Sequence, residues 1–185
     1  FDLEQLNQTM IGKTLSFDSG QADLRLAFKA DVVNLEMQKP FLIGSVVIQN
    51  ASGTHISSKK KFNNSSVDLS FTSKELKVNQ IELNTQNSAL KMKGQSDNFL
   101  NFYYDTPEKI VLNWDIHAEK IDLRDFSFGS GKAASIKKST KITPNVINIL
   151  HQSNATINLR AENIVYKKFR TRNAIAQIKI VPDRT

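Results

Sequence analysis

The stretch NWDIHAEKIDLRDF (residues 113–126) sets Trp114 and Ile116 at every second position, then breaks step at Ala118-Glu119 before Ile121. Alternation of this kind describes a strand with one apolar face, because successive strand side chains point to opposite sides. A small residue and then an acidic one, out of rhythm, mark a bulge or kink that re-aims the next side chains and adds twist. The phrase recurs. LAFKADVVNL (26–35) breaks at Ala30-Asp31, INLRAENIVY (157–166) breaks at Ala161-Glu162, and a degenerate copy, Ser73-Lys74-Glu75-Leu76, comes after LSFT. The break points at 30, 73, 118 and 161 are separated by 43, 45 and 43 residues, a period expected of stacked supersecondary units. Each kink is expected to re-aim its successors (Val32 and Val33, Ile121, Ile164) and together to curl the sheet.

Working outward, the same two-residue rhythm dominates the chain. Leu24, Leu26 and Phe28 share one side of their run, as do Val67, Leu69 and Phe71, Ile81 and Leu83, Leu90 and Met92, Leu112, Trp114 and Ile116, Ile157 and Leu159, and Ala176, Ile178 and Ile180. Asp23, Arg25, Asp68, Glu82, Lys91, Lys93, Asn113, Asp115, Asn158 and Arg160 take the other side, and this clean division favours antiparallel sheet. DSGQ, QNASG, FNNSS, TQNS and KGQSDN supply turn residues between the runs, which gives roughly a dozen short strands. In TPNVINILHQ, Thr143 and Pro144 are a cap and a first helical residue, with Val146, Ile149 and Leu150 on one side after them. Residues 96–109 read as a loop or single turn pinned by Phe99, Leu100 and Phe102, and FGSGKAASIKKSTK as a flexible basic connection. The expected fold is all-β: a curved antiparallel sheet, forming a β-groove or half-barrel built from repeats, with one short helix near 144–152. Residues 1–127 form the β repeat region, 128–141 the linker, and 142–185 the helix plus further strands of the same sheet.

At 185 residues the chain can bury a sizeable core, and 39% hydrophobic with 23% charged residues is the balance of a folded domain. The absence of cysteine removes disulfides, thiolate metal sites and a Cys nucleophile. No apolar run approaches the ~18 residues of a spanning helix. The sequence begins at Phe1 without a Met or a targeting segment, and reads as a piece excised from a longer protein. A net charge of +7, concentrated at residues 59–61, 137–138 and 167–172, suits anionic partners as well as plain solubility.

No catalytic signature is present, so no enzyme activity, cofactor or metal is expected. His55, His117 and His151 have no ligand-like spacing and belong on surface or loop positions. Asp122 and Asp125 form a nominal carboxylate pair, better read as a polar edge or turn. Tyr166 and Phe169 interleave with Lys167, Lys168, Arg170 and Arg172, but alternation or a turn divides these basic residues, so no nucleic-acid stripe is expected. Asn-x-Ser/Thr triplets at Asn7, Asn50, Asn63, Asn64 and Asn154 would be glycosylation acceptors only in a eukaryotic secreted chain.

The run from Phe41 to Phe102 resembles the AsmA-like family of Gram-negative envelope proteins, which includes the TamB-type modules. The matching stretches are Gly44 to Gly53, Phe62 to Phe71, Leu76 to Thr85, and Ser88 to Gly94 with Phe99-Leu100 after it. VLNWDIHAEKIDLRDF is similar to the family element ending "i-d-l-x-d-f", and ATINLRAENIVYKKFRTRNAIAQIKI to the element after it. Asn63-Asn64-Ser65 departs from the family pattern, which has an apolar residue and then Gly. The resemblance implies a periplasmic β-groove, anchored to the inner membrane by a segment missing from this sequence. It further implies phospholipid transport or outer-membrane assembly, with acyl chains and outer-membrane assembly proteins as partners, and no catalytic residues. The lipid-groove candidates are Leu24, Leu26, Phe28, Leu69, Phe71, Ile81, Leu83, Leu90, Met92, Leu112, Trp114, Ile116, Ile157, Leu159, Ile178 and Ile180. The anionic-headgroup candidates are Lys167, Lys168, Arg170 and Arg172. The competing expectation is a periplasmic scaffold that binds protein by strand addition at open sheet edges.

Overall fold

Residues 1–9, 14–33, 36–102, 109–126 and 153–181 are described by the computed structural model. Their alternating runs become eight strands: β1 (Leu15–Val33), β2 (Glu36–His55), β3 (Lys60–Phe71), β4 (Glu75–Asn84), β5 (Ala89–Asp97), β6 (Val111–Asp122), β7 (Asn154–Tyr166) and β8 (Phe169–Ile180). They form one open sheet in sequence order, from β1 at one edge to β8 at the other. The all-β fold is as expected. The helix near 144–152 and the linker 128–141 lie outside the described residues.

Two expectations need correction. Among the described residues the strands are fewer and longer than a dozen short ones, because DSGQ, QNASG and FNNSS do not separate strands. They lie inside β1, β2 and β3, where the pairing registers slip at 17–21 and again at 48–53. Asn50 and Asn64 there have φ of 53° and 42°. Asn and Gly supply the left-handed backbone that a tight turn needs, and a bulge needs the same conformation, so composition alone does not separate the two. TQNS is a true turn: Thr85 N–H donates to Ser88 O at 2.8 Å. The second correction concerns direction. Every adjacent pair is antiparallel except β6 and β7, which run parallel with Val111 opposite Asn154 and Asp122 opposite Val165.

That parallel pair explains the last interval of 43 residues. Ala118 lies directly opposite Ala161, so the two copies of the phrase sit side by side and in phase. Glu119 is skipped in the β5–β6 ladder, where Leu90 faces Ala118 and Ala89 faces Lys120. Ile121 then packs with Leu90, Ala118 and Ala161 in one buried cluster, and Ile164 packs against it, so both copies re-aim the next isoleucine as expected. At Ala30 the β1–β2 register slips between Lys29 and Asp31. The degenerate copy is different: Ser73 sits in the β3–β4 turn, where its Oγ accepts from Leu42 N–H at 3.0 Å.

Register divides the sheet into two faces of opposite character. One line of directly opposed residues runs Leu24, Val46, Leu69, Val78, Gly94, Trp114, Ile157, Ile178, across all eight strands. The next runs Ala22, Ile48, Val67, Ile81, Met92, Ile116, Leu159, Ala176. On the opposite face, Arg25, Ser45, Ser70, Lys77, Gln95, Asn113, Thr156 and Lys179 form an entirely polar line. Here Asn158 Nδ2 donates to Asp115 at 2.8 Å and Gln177 Nε2 to Asn158 at 2.9 Å, a polar ladder across three strands.

Three glycines on the apolar side each face an aromatic ring: Gly44 opposite Phe71, Gly53 opposite Phe62, and Gly94 opposite Trp114. A Cβ at Gly94 would come within 2.4 Å of Asn113 O and 2.7 Å of the Trp114 ring, so only glycine lets the strand backbone and the indole approach this closely.

Ser96, opposite Leu76 and Leu112 on the same face, is buried, and its Oγ has no hydrogen-bond partner among the described residues. An unmet buried hydroxyl costs free energy that an apolar replacement avoids. Ser96→Ala is therefore expected to stabilise the protein by about 1 kcal/mol in urea unfolding. A loss of stability would show that the hydroxyl is satisfied.

Candidate functional site

The apolar face is the feature whose chemistry can serve a function. All sixteen lipid-groove candidates lie on it. Beyond the two lines above, Leu26, Phe71, Leu112 and Ile180 share a third, Phe28 extends β1, and Leu83 and Leu90 oppose each other. Sequence reading missed Val46, Ile48 and Val78, which also lie on these lines. In VVI (46–48) the apolar run is unbroken, so alternation does not say which members face in, whereas pairing register does.

Burial varies across this face. Val78, Leu90 and Leu112 in the middle strands are buried, whereas Leu24, Leu26 and Phe28 on β1 are 52%, 55% and 53% exposed and Ile178 on β8 is 48% exposed. Most members between are half-buried. The face is thus an apolar trough that stays accessible along its two flanking strands. Eight strands at ~4.8 Å spacing make it ~34 Å from β1 to β8, shorter than a dozen strands would give.

One end of the trough is closed. A 3-10 turn (Leu3–Gln5) and α1 (Leu6–Thr9), unannounced in the sequence by any strong helical pattern, lay Leu3 and Leu6 over Ala22 and Ala51 with Phe17, Ile48 and Phe62. Asn7 fastens this plug: its Nδ2 donates to Phe17 O at 2.8 Å and its Oδ1 accepts from Phe17 N–H at 2.9 Å. Beside it lies an apolar notch of about 160 Å³ lined by Leu15, Phe62, Leu83 and Phe126.

The IDLRDF segment builds the same end. Asp122 is buried, and Arg124 Nε donates to both of its oxygens at 2.9 and 3.1 Å. Asp125 accepts from Thr85 Oγ1 at 2.6 Å and from Ser88 Oγ at 2.9 Å, tying β6 to the β4–β5 turn. The two carboxylates are therefore structural clamps. The hydrogen bond from Arg124 holds the Asp122 carboxyl down at about 2, from its ordinary 3.8, against the opposing effect of burial. A depressed carboxyl contributes stability above its unfolded value that is lost as pH falls through its folded value. The unfolding midpoint is expected to drop between pH 3.8 and about 2, and Asp122→Asn to flatten that drop while costing about 1–3 kcal/mol at neutral pH. An unchanged acid profile in the variant would remove this role.

The headgroup candidates gather at the same end. Lys167-Lys168 turn the β7–β8 hairpin between Tyr166 and Phe169, with Lys167 Nζ 5.4 Å from the Tyr166 ring. Asn173, with φ of 53°, breaks the alternation of β8 after Ala174: Thr171, opposite Ile164, follows on the apolar side, and Arg170 and Arg172, opposite Val165 and Asn163, turn to the other face. His55 Nδ1 lies 2.7 Å from Ser58 Oγ, and His117 is exposed with Nε2 3.8 Å from Glu162; His151 is outside the described residues. Among the described residues no cluster of His, Asp and Glu could hold a metal ion, and no helix is long and apolar enough to cross a membrane. Comparisons with protein-family models, curated proteins and solved structures find no match.

Proposed function

We propose that the apolar face holds phospholipid acyl chains, and that the chain is a section of an AsmA-like periplasmic protein concerned with phospholipid transport or outer-membrane assembly. The observation that carries this reading is the pair of unbroken apolar lines across all eight strands, left accessible at Leu24, Leu26 and Ile178. Each methylene buried there contributes ~0.8 kcal/mol, so hydrocarbon binds such a surface without any directional chemistry. Length agrees as well. From Ile180 to Ala174 the β8 line spans ~20 Å at strand rise, against ~15 Å for half a bilayer's hydrocarbon core. The β7–β8 hairpin beyond that line carries Lys167, Lys168, Arg170 and Arg172, a cationic end that suits a phosphate headgroup.

The test is lipid extraction and mass spectrometry of the purified protein, alongside Phe71→Asp, Ile178→Asp and the pair Arg170→Glu with Arg172→Glu. Bound phospholipid should disappear in the first two and shift towards uncharged species in the third, with the unfolding transition retained. Lipid-free wild-type protein, or lipid retained in all variants, would overturn the reading.

A further inference from the structure

We infer that the free edge of β1 pairs with the same edge of a second copy, joining two sheets about a two-fold axis at Leu26. β1 is an outer strand, but its edge is not uniformly open. Phe1 occupies it at Ala22: the Phe1 ammonium donates to Ala22 O at 2.9 Å and Ala22 N–H donates to Phe1 O at 2.9 Å. At the other end the β1–β2 register slips between Lys29 and Asp31, which bends the strand. Among the described residues the unpaired straight stretch is therefore residues 23–29, and its midpoint is Leu26.

The backbone along this stretch is set for pairing. Ala22 directs its N–H and C=O outwards, and the β1–β2 register is unbroken from Gln21 to Lys29. Alternation then turns the N–H and C=O of Leu24, Leu26 and Phe28 outwards too. An antiparallel copy centred on Leu26 sets Leu26 against the partner's Leu26 and Leu24 against the partner's Phe28. All three side chains are now half exposed on the apolar face. Charge selects this register. It places Asp23 opposite the partner's Lys29 twice over, by symmetry, and leaves Arg25 opposite the partner's Ala27. Moving the axis to Arg25 sets that arginine against itself, and moving it to Ala27 sets Arg25 against Lys29. Like charges directly opposed across strands are destabilising. The β8 edge offers no such match, because Arg170, Arg172 and Lys179 carry only positive charge. A β1–β1 contact is isologous and closes on itself, so it yields a dimer rather than a filament. Pairing at this edge is independent of what the apolar face binds.

Sedimentation equilibrium of the full chain over a range of concentrations is the test, with three substitutions. The wild type should show a monomer–dimer equilibrium. Leu26→Pro should abolish it while the unfolding midpoint stays within a few degrees, because that N–H is not used by β2. Asp23→Lys and Lys29→Asp should each weaken dimerisation by about tenfold or more, and an equimolar mixture of the two should restore it through a heterodimer. A wild type that stays monomeric at ~1 mM would overturn the inference. So would a dimer indifferent to Leu26→Pro, or a mixture that associates no better than its components.

Discussion

Replacing Gly94 by valine is expected to lower the unfolding free energy by about 3 kcal/mol, at the upper end of what overpacking ordinarily costs. The reason is local and steric. The first carbon of any side chain at this position meets the Asn113 carbonyl at 2.4 Å and the Trp114 ring at 2.7 Å. Backbone oxygen cannot give way without pulling β6 out of register with β5, and Trp114 is an interior member of an eight-strand apolar line. Urea unfolding monitored by the emission of Trp114, the chain's only tryptophan, reads both the stability and the displaced ring. A cost below about 1 kcal/mol would mean that the indole does not cover this glycine.

The second large effect is expected at Ala118. It is fully buried between Leu90 and Ala161, inside the cluster that Ile121 completes. Ala118→Asp places a carboxylate there with no partner, and a loss above ~4 kcal/mol is expected, a large share of the ~5–15 kcal/mol that holds a domain together. The same change one residue earlier, His117→Asp, falls on an exposed position of the polar face and should stay within about 0.5 kcal/mol. This contrast checks the face assignment itself. If both variants unfold alike, or neither does, the alternation has been assigned to the wrong side.

The sequence carried the face assignment more faithfully than the strand count. Leu24, Trp114 and Ile157 alternate with charged or amide neighbours, so period two alone placed them on one side. The bend at Ala118-Glu119 was legible for the same reason: Ile121 arrives one position late. Three other properties depended on partners distant in sequence. Gly53 and Asn64 look like turn residues until β1 to β3 are aligned, when they prove to lie within paired strands. The parallel run of β6 beside β7 arises from a 43-residue offset that local pattern cannot orient. The clamp of Asp122 and Asp125 on Arg124, Thr85 and Ser88 joins residues up to 40 apart, and its parts are ordinary polar side chains when read singly. Leu3 and Leu6 were missed because a plug of a turn and a half has too little periodicity to declare itself. The trough was thus readable as a set of residues, whereas its closed end and its accessible flanks were not.

Trp114 also offers the most direct test of what the trough holds. It lies at the sixth position of the line from Leu24 to Ile178, on the face proposed to hold acyl chains, and no second tryptophan confuses its signal. Titration with phospholipid brominated on its acyl chains should quench its emission, because bromine quenches only at contact, while the same lipid without bromine should not. Saturable quenching that Ile178→Asp and Phe71→Asp remove is the predicted result. Emission unaffected by the brominated lipid, in protein whose unfolding transition is intact, would contradict an acyl-chain site on this face.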